Sequence, residues 1–214
     1  MTVPAAEIRP AGDRALLLIP ADPTRAAQWA DALRREPPAG VVDVLAAAET
    51  VLVQLGGDPE RARASVSRWV ESALRADAFP AAAPAAADAV AIPVRYDGPD
   101  LPGVAQALGM SPERLVAAHT AASWRCAFMG FAPGFGYLRA PEWVVDLPRR
   151  QTPRTRVPAG SVAVAAGYAA VYPRATPGGW HVIGTADAVL FDAHRDPPAL
   201  IAAGRPVRFV AVTP

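Results

Sequence analysis

Apolar residues in this chain keep two periods, and the period changes several times. Residues 15–19 (ALLLI) form a short unbroken apolar run, which predicts a buried strand. Behind Asp22-Pro23, an N-cap followed by proline at the first helical position, Ala26, Trp29, Ala30 and Leu33 recur at helical spacing. Two β-rich runs follow, VVDVL (41–45) and TVLVQL (50–55), joined at residues 47–49 by a plausible hairpin connection. A second Asp-Pro start, Asp58-Pro59, opens a stripe of Ala62, Val66, Trp69, Val70, Ala73 and Leu74. The order is strand, helix, strand, strand, helix, and residues 90–94 offer a closing strand.

Residues 77–89 (DAFPAAAPAAADA) break this pattern with two prolines and no apolar periodicity beyond alanine. They read as a semi-stiff connector. The predicted organisation is a small α/β domain over 1–80, an Ala/Pro connector over 81–89, and a second domain over 90–214.

In the second domain a short helix is expected from about Leu101, and a better-signalled one opens at Ser111-Pro112 and runs through His119. The remainder is punctuated β-sequence. WRCAFMGF (124–131) alternates, VPAGSVAVAAGYAAVYP (157–173) holds two strands around Gly167, and GWHVIG (179–184), AVLFD (188–192) and PVRFVAV (206–212) supply others. Short β-runs separated by Gly and Pro indicate a barrel or sandwich rather than a doubly wound sheet. The fold class is therefore an α+β N-terminal domain followed by a mainly-β domain.

Composition narrows the chemistry. The chain has 214 residues, 52% hydrophobic and 19% charged, enough to bury a sizeable core. No apolar run approaches the roughly 18 residues of a membrane span, and MTVPAAEIRP lacks a secretory pattern, so a cytoplasmic location is the default expectation. A net charge of +1 gives no global field to draw in nucleic acid or an anionic membrane. All 21 basic residues are arginine, and asparagine is also missing. Within these residues a Walker-type loop, a Schiff-base lysine and a Cys-His-Asn triad are therefore impossible.

Three clusters remain as candidates. FMGFAPGFGYL (128–138) packs three glycines and four aromatics into eleven positions, without the spacing of a dinucleotide fingerprint. TPRTRVPAGS (152–161) brings Arg154 and Arg156 beside Gly160 and Ser161, and YPRATPGGWH (172–181) adds Arg174, Thr176, Gly178, Gly179, Trp180 and His181. Glycine pairs present main-chain N–H groups and guanidinium groups grip anions, so these clusters suit an anion; the alternative is a barrel corner with solvated arginines. Of the three histidines, His119 is the best general acid/base candidate, with a capping or structural role equally open, and His194 reads as a loop residue. No spacing suggests a metal site, and Cys126 reads as a buried structural thiol.

With these motifs in order, GDRALLL (12–18), His119 with FMGFAPGFGYL, TPRTRVPAGSV, VYPRATPGGWHVIGT (171–185) and the terminal PVRFV, the chain resembles the family of the 5-oxoprolinase B subunit, also called allophanate hydrolase subunit 1. That resemblance implies a small N-terminal domain followed by a cyclophilin-like β-barrel. It implies one component of an ATP-dependent 5-oxoprolinase, which opens 5-oxoproline to L-glutamate through a phosphorylated lactam and is active only with partners: the C subunit, of the allophanate hydrolase subunit 2 type, and the A subunit. ATP with magnesium would be shared with, or bound by, a partner, with no covalent cofactor. The family's patterned residues fall here on His119, Gly130, Phe131, Pro133, Gly134, Phe135, Tyr137, Pro158, Ala159, Gly160, Ser161, Tyr172, Pro173, Thr176, Pro177, Gly178, Gly179 and Trp180. These are expected to form one substrate or nucleotide pocket, with His119 by the reacting group, Tyr137 and Trp180 as walls and Arg154 or Arg174 meeting an anion. Gly136, where the family commonly has proline, Ala165-Ala166 and Ala170 depart from the pattern. They keep open two alternatives: a histidine-kinase inhibitor, or a carboxyltransferase-like component of a urea- or allophanate-type complex.

Overall fold

The computed structural model describes residues 6–22, 25–75, 89–145 and 147–212. The chain divides into two compact units, Met1–Ala83 and Pro84–Pro214. Nearly all of the expected connector, and Pro23 of the first Asp-Pro start, lie outside the described residues.

In the first unit β1 (Ala6–Pro10), β2 (Ala15–Pro20), β4 (Val51–Leu55) and β3 (Val41–Ala46) form an antiparallel sheet in that order, with helices α1 (Ala26–Arg35) and α2 (Pro59–Arg75). The apolar stripes of both helices and alternate residues of β2 and β4 (Leu16, Leu18, Val51, Val53) make its core. α2 starts at its predicted cap: Asp58 Oδ1 accepts the N–H groups of Glu60 (3.0 Å) and Arg61 (3.4 Å). The hairpin also forms where expected, with the Ala47 N–H on the Thr50 carbonyl at 2.9 Å. Strand β1 was not legible, because its five residues are too few to show a period and it is held by pairing with β2 and by Ala6 and Ile8 against the core.

The second unit contains β5 (Val90–Arg95), α3 (Leu101–Ala107), α4 (Pro112–Ala121), β6 (Trp124–Met129), β7 (Gly136–Arg139), β8 (Arg154–Val157), β9 (Ser161–Ala165), β10 (Tyr168–Val171), β11 (Thr176–Gly178), β12 (His181–Ala186) and β13 (Pro206–Ala211). Seven strands close into a barrel in the order β10-β7-β6-β13-β5-β12-β9, while β8 and β11 form a separate two-stranded ribbon. Closure leaves no unpaired edge among the seven. Residues 90–94 are thus a barrel strand, parallel to β13, and do not close the first unit's sheet. AVLFD is not a strand either: it makes one isolated bridge, Phe191 to Ala199, opposite a run whose Pro197 and Pro198 offer no N–H.

The barrel has two apolar faces. Ile92, Trp124, Leu138, Val162, Val164, Ile183 and Phe209 fill its interior, whereas Ala163, Ala165, Ala170 and Val182 point outward beneath Phe135, Tyr172 and Trp180. Every residue of β9 is consequently buried. A register shift in β6 between Cys126 and Phe128 turns Phe128 to the outer side, where it stacks on Tyr137 across the pair with centroids 4.2 Å apart.

Candidate active site: an aromatic cleft on the outer barrel face

The outward cluster is large enough to leave a hollow. Phe131, Phe135, Tyr137, Tyr172 and Trp180 line a cavity of about 80 Å³ together with Arg149, Gly178 and Gly179. Phe135 is its hub, with ring centroids 5.1 Å from Phe131, 5.0 Å from Tyr137, 5.3 Å from Tyr172 and 5.8 Å from Trp180, all edge-to-face. Small outward side chains on β9 and β10 provide the floor on which these rings fit.

Backbone geometry sets the rim. The Ala132 N–H reaches the Gly130 carbonyl at 2.7 Å, closing a three-residue turn around Phe131, whose φ is +66°. A bulky residue in that region is strained, and this one is also 59% exposed. Gly178 is required for a different reason: a Cβ there would run into the Tyr172 phenol. That phenol is held above its ordinary pKa chiefly by burial, partly offset by the nearby Arg149 charge, so it is neutral at physiological pH.

A buried carboxylate anchors the segment that carries Arg149. Asp100 accepts Arg150 Nη1 at 2.8 Å, Arg154 Nη1 and Nη2 at 2.7 and 2.9 Å, and the Val182 N–H at 2.7 Å. Burial alone would raise the Asp100 pKa, but these hydrogen bonds and the two guanidinium charges outweigh it and hold the carboxyl below its usual range. The Arg150 N–H also donates to the Gly179 carbonyl at 2.7 Å, and His181 Nε2 donates to the Pro148 carbonyl at 2.9 Å. Residues 148–154 are therefore pinned beside the cleft.

His119 does not reach this cleft. It is fully buried and ringed by Tyr96, Trp124, Trp143 and Phe209. Nδ1 lies 2.8 Å from the Tyr96 hydroxyl, and the His119 carbonyl accepts the Trp124 indole N–H at 2.8 Å. Burial lowers its pKa to about 3, so it is a neutral core residue at pH 7 and does not line the cleft.

Comparison with known proteins adds the relationship. Residues 6–201 match the family described as "Carboxyltransferase domain, subdomain C and D". The chain belongs to that family. Two curated relatives are both named as the B subunit of 5-oxoprolinase: one from Escherichia coli O157:H7, 45% identical over 56% of this chain and 57% of its own length, and one from Bacillus subtilis (strain 168), 42% identical over 58% and 53%. The resemblance seen in the motifs is thus borne out at 40–45% identity. The chain spans little more than half the length of these relatives. Among solved structures, PH0987 from Pyrococcus horikoshii, a conserved uncharacterized protein, is 30% identical over 96% of this chain and 97% of its own, with a TM-score of 0.56. TTHA0988 is 36% identical over 94% of this chain and 40% of its own, with a TM-score of 0.72.

For this carboxyltransferase-domain chain, the structure sorts the expected pocket residues into groups. Phe131, Phe135, Tyr137, Tyr172, Gly178, Gly179 and Trp180 line the cleft. Gly130 and Gly134 shape its loop, the latter with φ of +81° and no room for a Cβ against Leu190 and Phe191. Gly160 and Ser161 hold Tyr172 by main-chain bonds: the Gly160 N–H meets the Tyr172 carbonyl at 2.8 Å, and the Tyr172 N–H meets the Ser161 carbonyl at 2.9 Å. Thr176 is buried in the ribbon, whereas Pro133, Pro158, Ala159, Arg174 and Pro177 are exposed and do not line the cavity; Pro173, half-buried, does not line it either. Arg154 is committed to Asp100. Gly136 is buried within β7, where a Cβ would press on Cys126 Sγ at 3.1 Å and on Ile201 at 3.2 Å. Sequence reasoning missed Arg149 and Asp100; the Arg149-Arg150 pair just before TPRTR was the available signal.

Proposed function

We propose that the chain is one component of an ATP-dependent 5-oxoprolinase and holds the lactam while partner subunits supply ATP and complete turnover. The observation that carries this is the 40–45% identity to proteins named as the B subunit of 5-oxoprolinase, in a chain whose aromatic cleft suits a small ring. Lactams share the amide resonance that makes the C–N bond resistant to water, so the carbonyl oxygen must first be converted to a leaving group. Phosphoryl transfer from ATP to that oxygen does so and releases ADP; water then adds to the carbon, the ring C–N bond breaks as the nitrogen takes a proton, and a second water releases phosphate from the resulting acyl phosphate.

A cavity of about 80 Å³ does not fit a nucleoside triphosphate, and the chain has no lysine to grip one. On this reading the nucleotide and its magnesium belong mainly to a partner of the C-subunit type, with the A subunit a further member. The test is co-expression with the proteins encoded beside it, followed by measurement of ADP and glutamate released from 5-oxoproline. ATP-independent turnover by the single chain, or no turnover in any combination, would overturn the reading. The family description favours one second reading, a carboxyltransferase-like component. With bicarbonate and a biotin-carrying carboxylase partner added as the carboxyl source, it predicts a carboxylated amide product in place of glutamate.

A further inference from the structure

Three arginines stand close together in sequence and structure, and two of them are already occupied. Arg150 and Arg154 both bind Asp100, whose side chain is only 10% exposed. Arg149 is exposed, lines the cleft, and pairs with no carboxylate among the described residues. Its neighbours on both sides are pinned: Pro148 through His181, and Arg150 through Gly179 and Asp100. A guanidinium carried on a pinned stretch of backbone at the mouth of an aromatic hollow can receive one small anion.

The other walls narrow the ligand further. Tyr137, Phe135 and Trp180 offer ring faces and edges but no charge, which suits a compact ring rather than a chain of phosphates. Tyr172, buried at the cleft wall, brings a phenol whose O–H can donate to a carbonyl. The volume of about 80 Å³ holds only a few waters, and a ring carboxylate would extend past it to Arg149.

Given the reading above that this chain holds the lactam, we infer that Arg149 is the carboxylate receptor of the cleft, which takes a small cyclic amide bearing a carboxylate and turns its carbonyl toward Tyr172. Arg154 and Arg174, the arginines expected to meet an anion, are excluded from that role by the Asp100 ion pair and by position respectively.

The test measures binding by calorimetry and tryptophan fluorescence, on the full chain and on the complex co-purified with its partners. The probes are L-5-oxoproline and 2-pyrrolidinone, the same lactam without a carboxylate, with ADP as competitor. The wild type should prefer L-5-oxoproline by about tenfold or more, the range of a charge-assisted hydrogen-bonded pair. Arg149→Gln should bring the two affinities together by weakening L-5-oxoproline alone, and Arg149→Lys should recover part of the preference. If Arg149→Gln keeps the preference, the cleft still holds a lactam but the arginine assignment is wrong. If ADP displaces the lactam from the wild type and not from Arg149→Gln, the guanidinium is a phosphate receptor and the inference fails. If neither preparation binds either lactam, both the inference and the reading beneath it fall.

Discussion

Replacing Asp100 by asparagine keeps the shape of the side chain and removes the charge that holds residues 148–154. The carboxylate is 10% exposed and accepts three guanidinium hydrogen bonds and one main-chain N–H, while Arg150 and Arg154 remain 33% and 26% exposed. Truncating a fully buried pair costs about 3–5 kcal/mol. Since both guanidinium groups stay partly wet, the expected loss is about 2–3 kcal/mol, or roughly 6–12 °C in the melting temperature of the barrel. Urea titration and calorimetry at pH 7 measure it. The pH dependence supplies a second check. The folded-state pKa of Asp100 is depressed, so its contribution is present above the unfolded value near pH 4 and is lost as pH falls through the folded value. The gap between wild type and Asp100→Asn should therefore be constant from pH 6 to 8 and close below about pH 4. A gap under about 0.5 kcal/mol at pH 7, or one that widens in acid, would refute the anchoring role.

Further outcomes follow from other sites. His119 has a pKa lowered to about 3 by burial, so the unfolded chain binds its proton first and stability falls as pH drops from about 6.5 toward 3; His119→Phe should flatten that decline, and an unchanged slope in urea titrations would count against it. Phe131→Gly removes the strain at φ of +66° and should leave stability within about 1 kcal/mol of wild type while weakening lactam binding several-fold. A loss above about 2 kcal/mol in its urea titration would mean that the ring serves the fold instead. Gly178→Ala should displace the Tyr172 phenol and reduce L-5-oxoproline affinity about tenfold with the circular dichroism spectrum unchanged; wild-type affinity would show that the phenol takes no part.

Much of the fold could be read from local signals because local physics dominates there. Asp58-Pro59 and Ser111-Pro112 start helices where capping predicts, since the exposed N–H groups of a first turn need an acceptor wherever the helix lies. The runs FMGFAPGFGYL and YPRATPGGWH both line one cleft, Tyr137 and Trp180 among its walls, while TPRTRVPAGS supports it only through the main-chain bonds of Gly160 and Ser161 to Tyr172.

Charge pairing and burial were not legible, because both depend on partners far along the chain. Asp100 looks like an ordinary helix cap, yet it makes no side-chain capping bond and binds arginines 50 and 54 positions away. That removes Arg154 from the pool of free cations and leaves Arg149 at the mouth of the cleft. His119 combines the residue type and local setting of a catalytic base, but barrel closure surrounds it with rings, where desolvation keeps it neutral. Residue types and turn signals thus fixed the available chemistry and the short-range elements. Which groups bind one another and which face a ligand is a long-range property, set only when the barrel closes and desolvates one subset of side chains.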